Sequence, residues 1–222
     1  MSNPMVGKLI GKELALNRMF MVGATFAGLL SLGICLLGKV AFAVGGIMFI
    51  TALIAYAVTL PMFAIVGERK ERTRLFVLSL PISRGEYVLA KVLGVLFTFL
   101  VPWAVLLVLA LALILVTPIP DGMVVFTLLL MMFALTDFCV IACAAMLVEG
   151  EGPMAVVIIF MNMSVTFFIV GISSLTRIGK DMSVDVVNWS PPALPILSAE
   201  IAVVVLAFVI LFWIAGREPE VV

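Results

Sequence analysis

The chain has 222 residues, of which 65% are hydrophobic and only 12% charged, with a mean hydropathy of +1.36; a soluble domain is about half apolar and about a quarter charged, and so few polar side chains cannot cover a surface that faces water. Thirteen basic and thirteen acidic residues cancel, so nothing draws the chain to nucleic acid. Three cysteines make no disulfide framework, and the lack of any histidine removes the commonest metal ligand and general base, which leaves redox, metal and hydrolytic chemistry without support.

The first eighteen residues are polar enough, and free enough of a small-residue cleavage site, to argue against a removable signal peptide. Within them Val6, Ile10 and Leu14 form an apolar stripe at i, i+4 spacing, with Lys8 and Lys12 on another face, which predicts a helix over 1–18 resting on a membrane surface. Six stretches then have the length of about 20 apolar residues that a bilayer requires: 19–37, 40–66, 88–116, 123–148, 154–175 and 198–215. The start of the last is set near Ser198, because Pro191, Pro192 and Pro195 resist a continuous helix, and Glu200 is then expected in its first turn, where the helix dipole favours a carboxylate. Pro102 and Trp103 interrupt the third span and predict a kink whose freed carbonyl a neighbour satisfies. Gly23, Gly28, Gly45 and Gly46 are expected at close helix contacts.

Orientation follows from Lys and Arg in the connections. With the N-terminus in the cytoplasm, ten of the thirteen fall inside (Lys8, Lys12, Arg18, Arg69, Lys70, Arg72, Arg74, Arg84, Lys91 and Arg217) and only Lys39, Arg177 and Lys180 fall outside. Both termini are then cytoplasmic, as an even number of spans requires. The fold class expected is an all-α integral membrane protein: one transmembrane domain over 1–222, six spans, a cytoplasmic N-terminal interfacial helix and a cytoplasmic segment between spans 2 and 3.

That segment, 67–86, is densely charged in its first half and apolar in its second until Pro81, and Ser83 with Glu86 reads as a capping box opening the third span. Its charges fit equally a plain positive-inside signal or a docking element with one wet end and one greasy end. The run Glu68-Arg69-Lys70-Glu71-Arg72-Thr73, then Leu78-Ser79-Leu80-Pro81-Ile82-Ser83-Arg84, then Glu86 and Lys91, resembles the connection between spans 2 and 3 of the ABC-2 type permease family of bacterial ABC transporters. The resemblance implies a short coupling helix, with Glu68, Arg69, Lys70, Glu71, Arg72 and Thr73 as the residues that dock on a separate ATPase subunit. It also implies two ATPase copies carrying ATP and Mg, a second permease copy as homodimer or heterodimer, the cytoplasmic membrane as location, and export as direction. No G-x-x-x-x-G-K-[ST] phosphate loop occurs, so this chain is not itself expected to be an enzyme or to hold a cofactor.

Two polar residues inside the spans are candidates for the translocation path. Asp137, mid-way along the fourth span, could meet a cationic group or carry a proton, or serve as hydrogen-bonded packing; Asn162 in the fifth span has the same two readings. Cys139 and Cys143 share a helix face but lack partners for a metal site. The competing function is a secondary transporter or channel that uses Asp137 for ion coupling and needs no ATPase. An intramembrane enzyme lacks a nucleophile-base pair.

Overall fold

The computed structural model describes residues 4–68, 84–148 and 150–215. The docking residues Arg69, Lys70, Glu71, Arg72 and Thr73, and the Ser83 half of the capping box, lie outside them. Among the described residues there is no strand. The chain forms α1 (Pro4–Leu16), α2 (Arg18–Cys35), α3 (Lys39–Pro61), a π-helical turn (Met62–Gly67), α4 (Arg84–Val116), α5 (Met123–Leu147), α6 (Glu151–Ser174), α7 (Thr176–Asp181) and α8 (Ala193–Ala215). Six of these, α2 to α6 and α8, are long and apolar enough to cross a membrane, as expected. Large apolar side chains such as Phe26, Phe97, Val108, Phe160, Phe167 and Val205 are exposed on their outer faces, where lipid is the only solvent that suits them.

The last span departs from expectation. Its helix begins at Ala193 and carries Pro195 in its first turn, where a missing N–H costs nothing. Glu200 therefore lies two turns in and cannot be stabilised by the helix N-terminus. It falls instead on the stripe of Ala193, Leu197, Glu200, Val204, Phe208 and Leu211, buried, and neither carboxylate oxygen has a hydrogen-bond partner among the described residues.

α5 is the most buried span and the centre of the bundle, packed by α3, α4, α6 and α8. Stacked rings tie three spans together at mid-height, with Tyr56 of α3 5.4 Å from Phe99 of α4, and Phe99 4.1 Å from Phe138 of α5. The third span runs unbroken through Pro102. The carbonyl that Pro102 cannot bond, four residues back, is that of Thr98, and the Tyr56 hydroxyl donates to it at 2.7 Å. From the next residue, the Trp103 indole donates to the Met131 carbonyl of α5 at 2.8 Å. The proline thus leaves an acceptor that a neighbouring span uses, and the aromatic stack holds the donor in place.

Small residues decide where helices meet. A Cβ on Gly45 would lie 2.7 Å from the Ser31 carbonyl oxygen and 2.8 Å from the Cys35 nitrogen, so α2 and α3 touch backbone to backbone there. Gly28 meets the Leu106 side chain of α4. Gly23 and Gly46 have open space around them, so these two glycines do not mark contacts. Gly38, at φ +134°, makes the bare turn between α2 and α3 in a conformation that other residues resist.

Candidate functional site

The site is built where α3 ends and α4 begins, here called the basal end. The π-helical turn Met62–Gly67 follows Pro61, widens the last part of α3 and leads straight into Glu68. On α4, Lys91 is buried, its side chain only 3% exposed. A lysine with so little water needs counter-charge, and it has two. Its Nζ lies 2.7 Å from Glu68 Oε2 and 2.8 Å from Glu13 Oε1 of α1. One ammonium therefore joins three parts of the chain: the N-terminal helix, the exit from α3 and the beginning of α4.

α1 reaches Lys91 because α4 offers it a gap. A Cβ on Gly94 would sit 2.7 Å from the Glu13 Cβ and Cγ and 3.7 Å from the Ile10 Cα, so α1 lies directly across the glycine. Leu9 packs beside Tyr87 and Val92, while Lys8 and Lys12 stay exposed. A helix is present over 4–16, docked along α4. Asn17, also buried, donates from Nδ2 to the Glu13 carbonyl at 3.0 Å and fixes the turn into α2.

Two carboxylates share one buried ammonium, so among the described residues the buried cluster carries one negative charge in excess, with the exposed Lys12 beside it. Burial pushes the Glu13 carboxyl above its ordinary value, against the pull of Lys91 and of the hydrogen bond from it. The hollow beside the cluster, lined by Leu9, Tyr87 and Ala90 among others, measures about 10 Å³, room for one water at most.

Residues 8–215 match the family described as ABC-2 family transporter protein. The chain belongs to the ABC-2 transporter family. It is a membrane subunit of an ABC transporter, a multi-pass transport protein whose family implies association with an ABC ATPase subunit. No curated protein and no solved structure matches the chain.

Of the expected docking residues of this ABC-2 permease, the described part contains Glu68 alone, and it belongs to the ion cluster. Lys91, counted from sequence as a topology charge, is the hub. Glu13 passed unremarked in the sequence; the signal available was one carboxylate next to an apolar stripe in a stretch otherwise rich in Lys and Arg. The two polar candidates within the spans are far apart in character. Asn162 of α6 is exposed and lines an open groove of about 500 Å³ between α3 and α6, with Thr51, Thr59 and Thr166 among otherwise Ile, Val and Ala walls. Its Nδ2 donates to the Ile158 carbonyl of its own helix at 2.9 Å. Asp137 of α5 is wholly buried, and among the described residues neither carboxylate oxygen has a hydrogen-bond partner. The structure does not bring the two together in one lining. Cys139 and Cys143 are free thiols in the core beside it.

Proposed function

We propose that this ABC-2 permease is the translocating subunit of an exporter, with both termini in the cytoplasm and the segment from Glu68 to Arg84 docking on the ATPase. The observation that carries this reading is the ion cluster. Glu68 opens the docking segment and is held by the same ammonium that holds α1, so a push on the segment is felt by α1, α3 and α4 together. Glu71, Arg72 and their charged neighbours would set partner choice and register at the ATPase surface. Export as the direction rests on the family resemblance, and ATP with its Mg would be bound by the ATPase copies, not by this chain.

The groove between α3 and α6 is the face that supports a translocation path. Four uncharged polar side chains open toward lipid there, an arrangement that is costly in hydrocarbon and more favourable against a second permease copy and a passing substrate.

The test is co-purification of the tagged chain from its native host in mild detergent. A P-loop ATPase is expected with it in roughly equal stoichiometry, and the double variant Glu71→Lys, Arg72→Glu should release that ATPase without loss of membrane insertion. Recovery of the chain alone, in several detergents, would sink the coupling reading and leave ion-coupled transport to explain the buried acids.

A further inference from the structure

The groove that lines the proposed path contains no charged residue. Behind it, however, the wall is thin. Ile50, Ile54 and Val165 face the groove on one side and on the other a small hollow closed by Leu130, Phe133 and Ala134 of α5. Asp137 follows Ala134 by three residues and Phe133 by four, so it occupies the next turn of the same face of α5. It is fully buried there, and among the described residues neither oxygen has a hydrogen-bond partner. We propose that the groove between α3 and α6 accepts lipophilic cations, with Asp137 behind its wall as the counter-charge that selects them. This inference rests on the reading of the groove as the path and adds the class of substrate to it.

The charges around Asp137 support the assignment. α3 contributes Tyr56, whose hydroxyl is already given to Thr98. α4 contributes, among its described side chains, Tyr87 and Lys91, both at the basal end, and Lys91 is already shared by Glu13 and Glu68. α6 contributes no ionisable side chain among those described, and α8 contributes Glu200, an acid without a partner. On α5 itself stand the thiols Cys139 and Cys143. The remaining described basic side chains, Lys8, Lys12, Arg18, Lys39 and Lys180, lie in α1 or α7 or at the first residue of a span. Among the described residues, the interior of the bundle therefore offers acids and no free ammonium or guanidinium to match them. A sealed carboxyl without a partner is much less costly neutral than charged. A cation in the groove supplies the opposite charge that the described interior lacks. Large apolar walls with uncharged Thr and Asn suit a cation whose charge is spread over an apolar body, because such an ion is weakly hydrated and loses little on leaving water.

The experiment is equilibrium binding of tetraphenylphosphonium and of the neutral triphenylphosphine oxide to the full chain in lipid nanodiscs, with binding to empty nanodiscs subtracted. We expect the cation to bind at least about tenfold tighter than the oxide. Asp137→Asn should remove most of that preference while oxide binding stays, and adding Thr166→Asp, an acid placed on the groove lining, should restore the preference. Equal affinity of the unaltered chain for cation and oxide would overturn the inference, whatever the folding of the Asn variant. Asn162→Trp separates the two readings. If it blocks both ligands while the unaltered chain shows no preference, only the role of Asp137 fails; if it affects neither ligand, the groove is not the site and both readings fall.

Discussion

Lys91 shows how much one side chain can hold at the basal end. Its two carboxylate partners are bound at 2.7 and 2.8 Å in a nearly dry setting, where removing one member of an ion pair typically costs about 3–5 kcal/mol because the other charge stays buried. Lys91→Met would leave two buried carboxylates facing each other. It is expected to lower stability by about that amount and to lower the yield of folded protein, measurable as a drop in the unfolding temperature in detergent. Glu13→Gln acts in the opposite sense, since it removes the surplus negative charge and leaves a matched Lys91–Glu68 pair. Here the pH dependence has a definite sign. The docked Glu13 binds its proton more tightly than the free side chain with its value of 4.5, so docking is strongest at acid pH and weakens as pH rises from about 4.5 through the raised value. Relative to the unaltered chain, Glu13→Gln should therefore gain unfolding temperature as pH increases over that window. A gap between the two proteins that is flat or shrinks with pH would show that Glu13 is not held as an excess carboxylate. The Tyr56 hydroxyl is a smaller matter. Tyr56→Phe orphans the Thr98 carbonyl beside Pro102 and should cost about 1 kcal/mol, in the range found for hydrogen bonds between membrane helices.

At the level of elements, α1 depends on the shape of α4 as much as on charge. α1 lies directly across Gly94, and Gly94→Leu would drive its side chain into Glu13 and Ile10. With α1 displaced, trypsin should cut at Lys8 and Lys12 several times faster, while the six spans stay inserted, because none of them is built from α1. The helices themselves were legible in the sequence, since twenty apolar residues in a row have few other uses, and five of the six spans begin and end within a few residues of expectation. The sixth was not. Prolines 191, 192 and 195 read as helix breakers, yet the last of them lies in the first turn, where proline is tolerated, and the mistake carried Glu200 to a helix end that it does not occupy. The π-helical turn after Pro61 left no trace in the pattern either, because residues 62–67 are apolar whichever hydrogen-bond spacing they adopt. The ion cluster was hidden for a different reason. Its members are 13, 68 and 91 in the chain, and only the docking of α1 across Gly94 makes them neighbours.

For the molecule as a whole, the distribution of polarity over its outer surface carries the argument. Most of that surface is Val, Leu, Ile and Phe, which needs nothing but lipid. The face between α3 and α6 differs, with Thr51, Asn162 and Thr166 exposed at membrane depth. A side-chain amide left in hydrocarbon loses hydrogen bonds that water or a partner helix would supply, so this face is expected to meet a second copy of the permease across the path. Single cysteines introduced at Asn162 or Thr166, with Cys35, Cys139 and Cys143 replaced by Ala or Ser, should therefore cross-link two copies in native membranes under mild oxidation. Cysteine at Phe26 or Val205, on the lipid-facing parts of α2 and α8, should not. The control matters, because random collision in a crowded membrane would link all four positions alike. Linkage confined to Phe26 or Val205 would move the subunit contact to α2 or α8 and leave the groove facing lipid. A lower yield of the Asn162 or Thr166 cross-link when ATP and Mg are added to the assembled complex before oxidation would tie the opening of that face to the ATPase cycle.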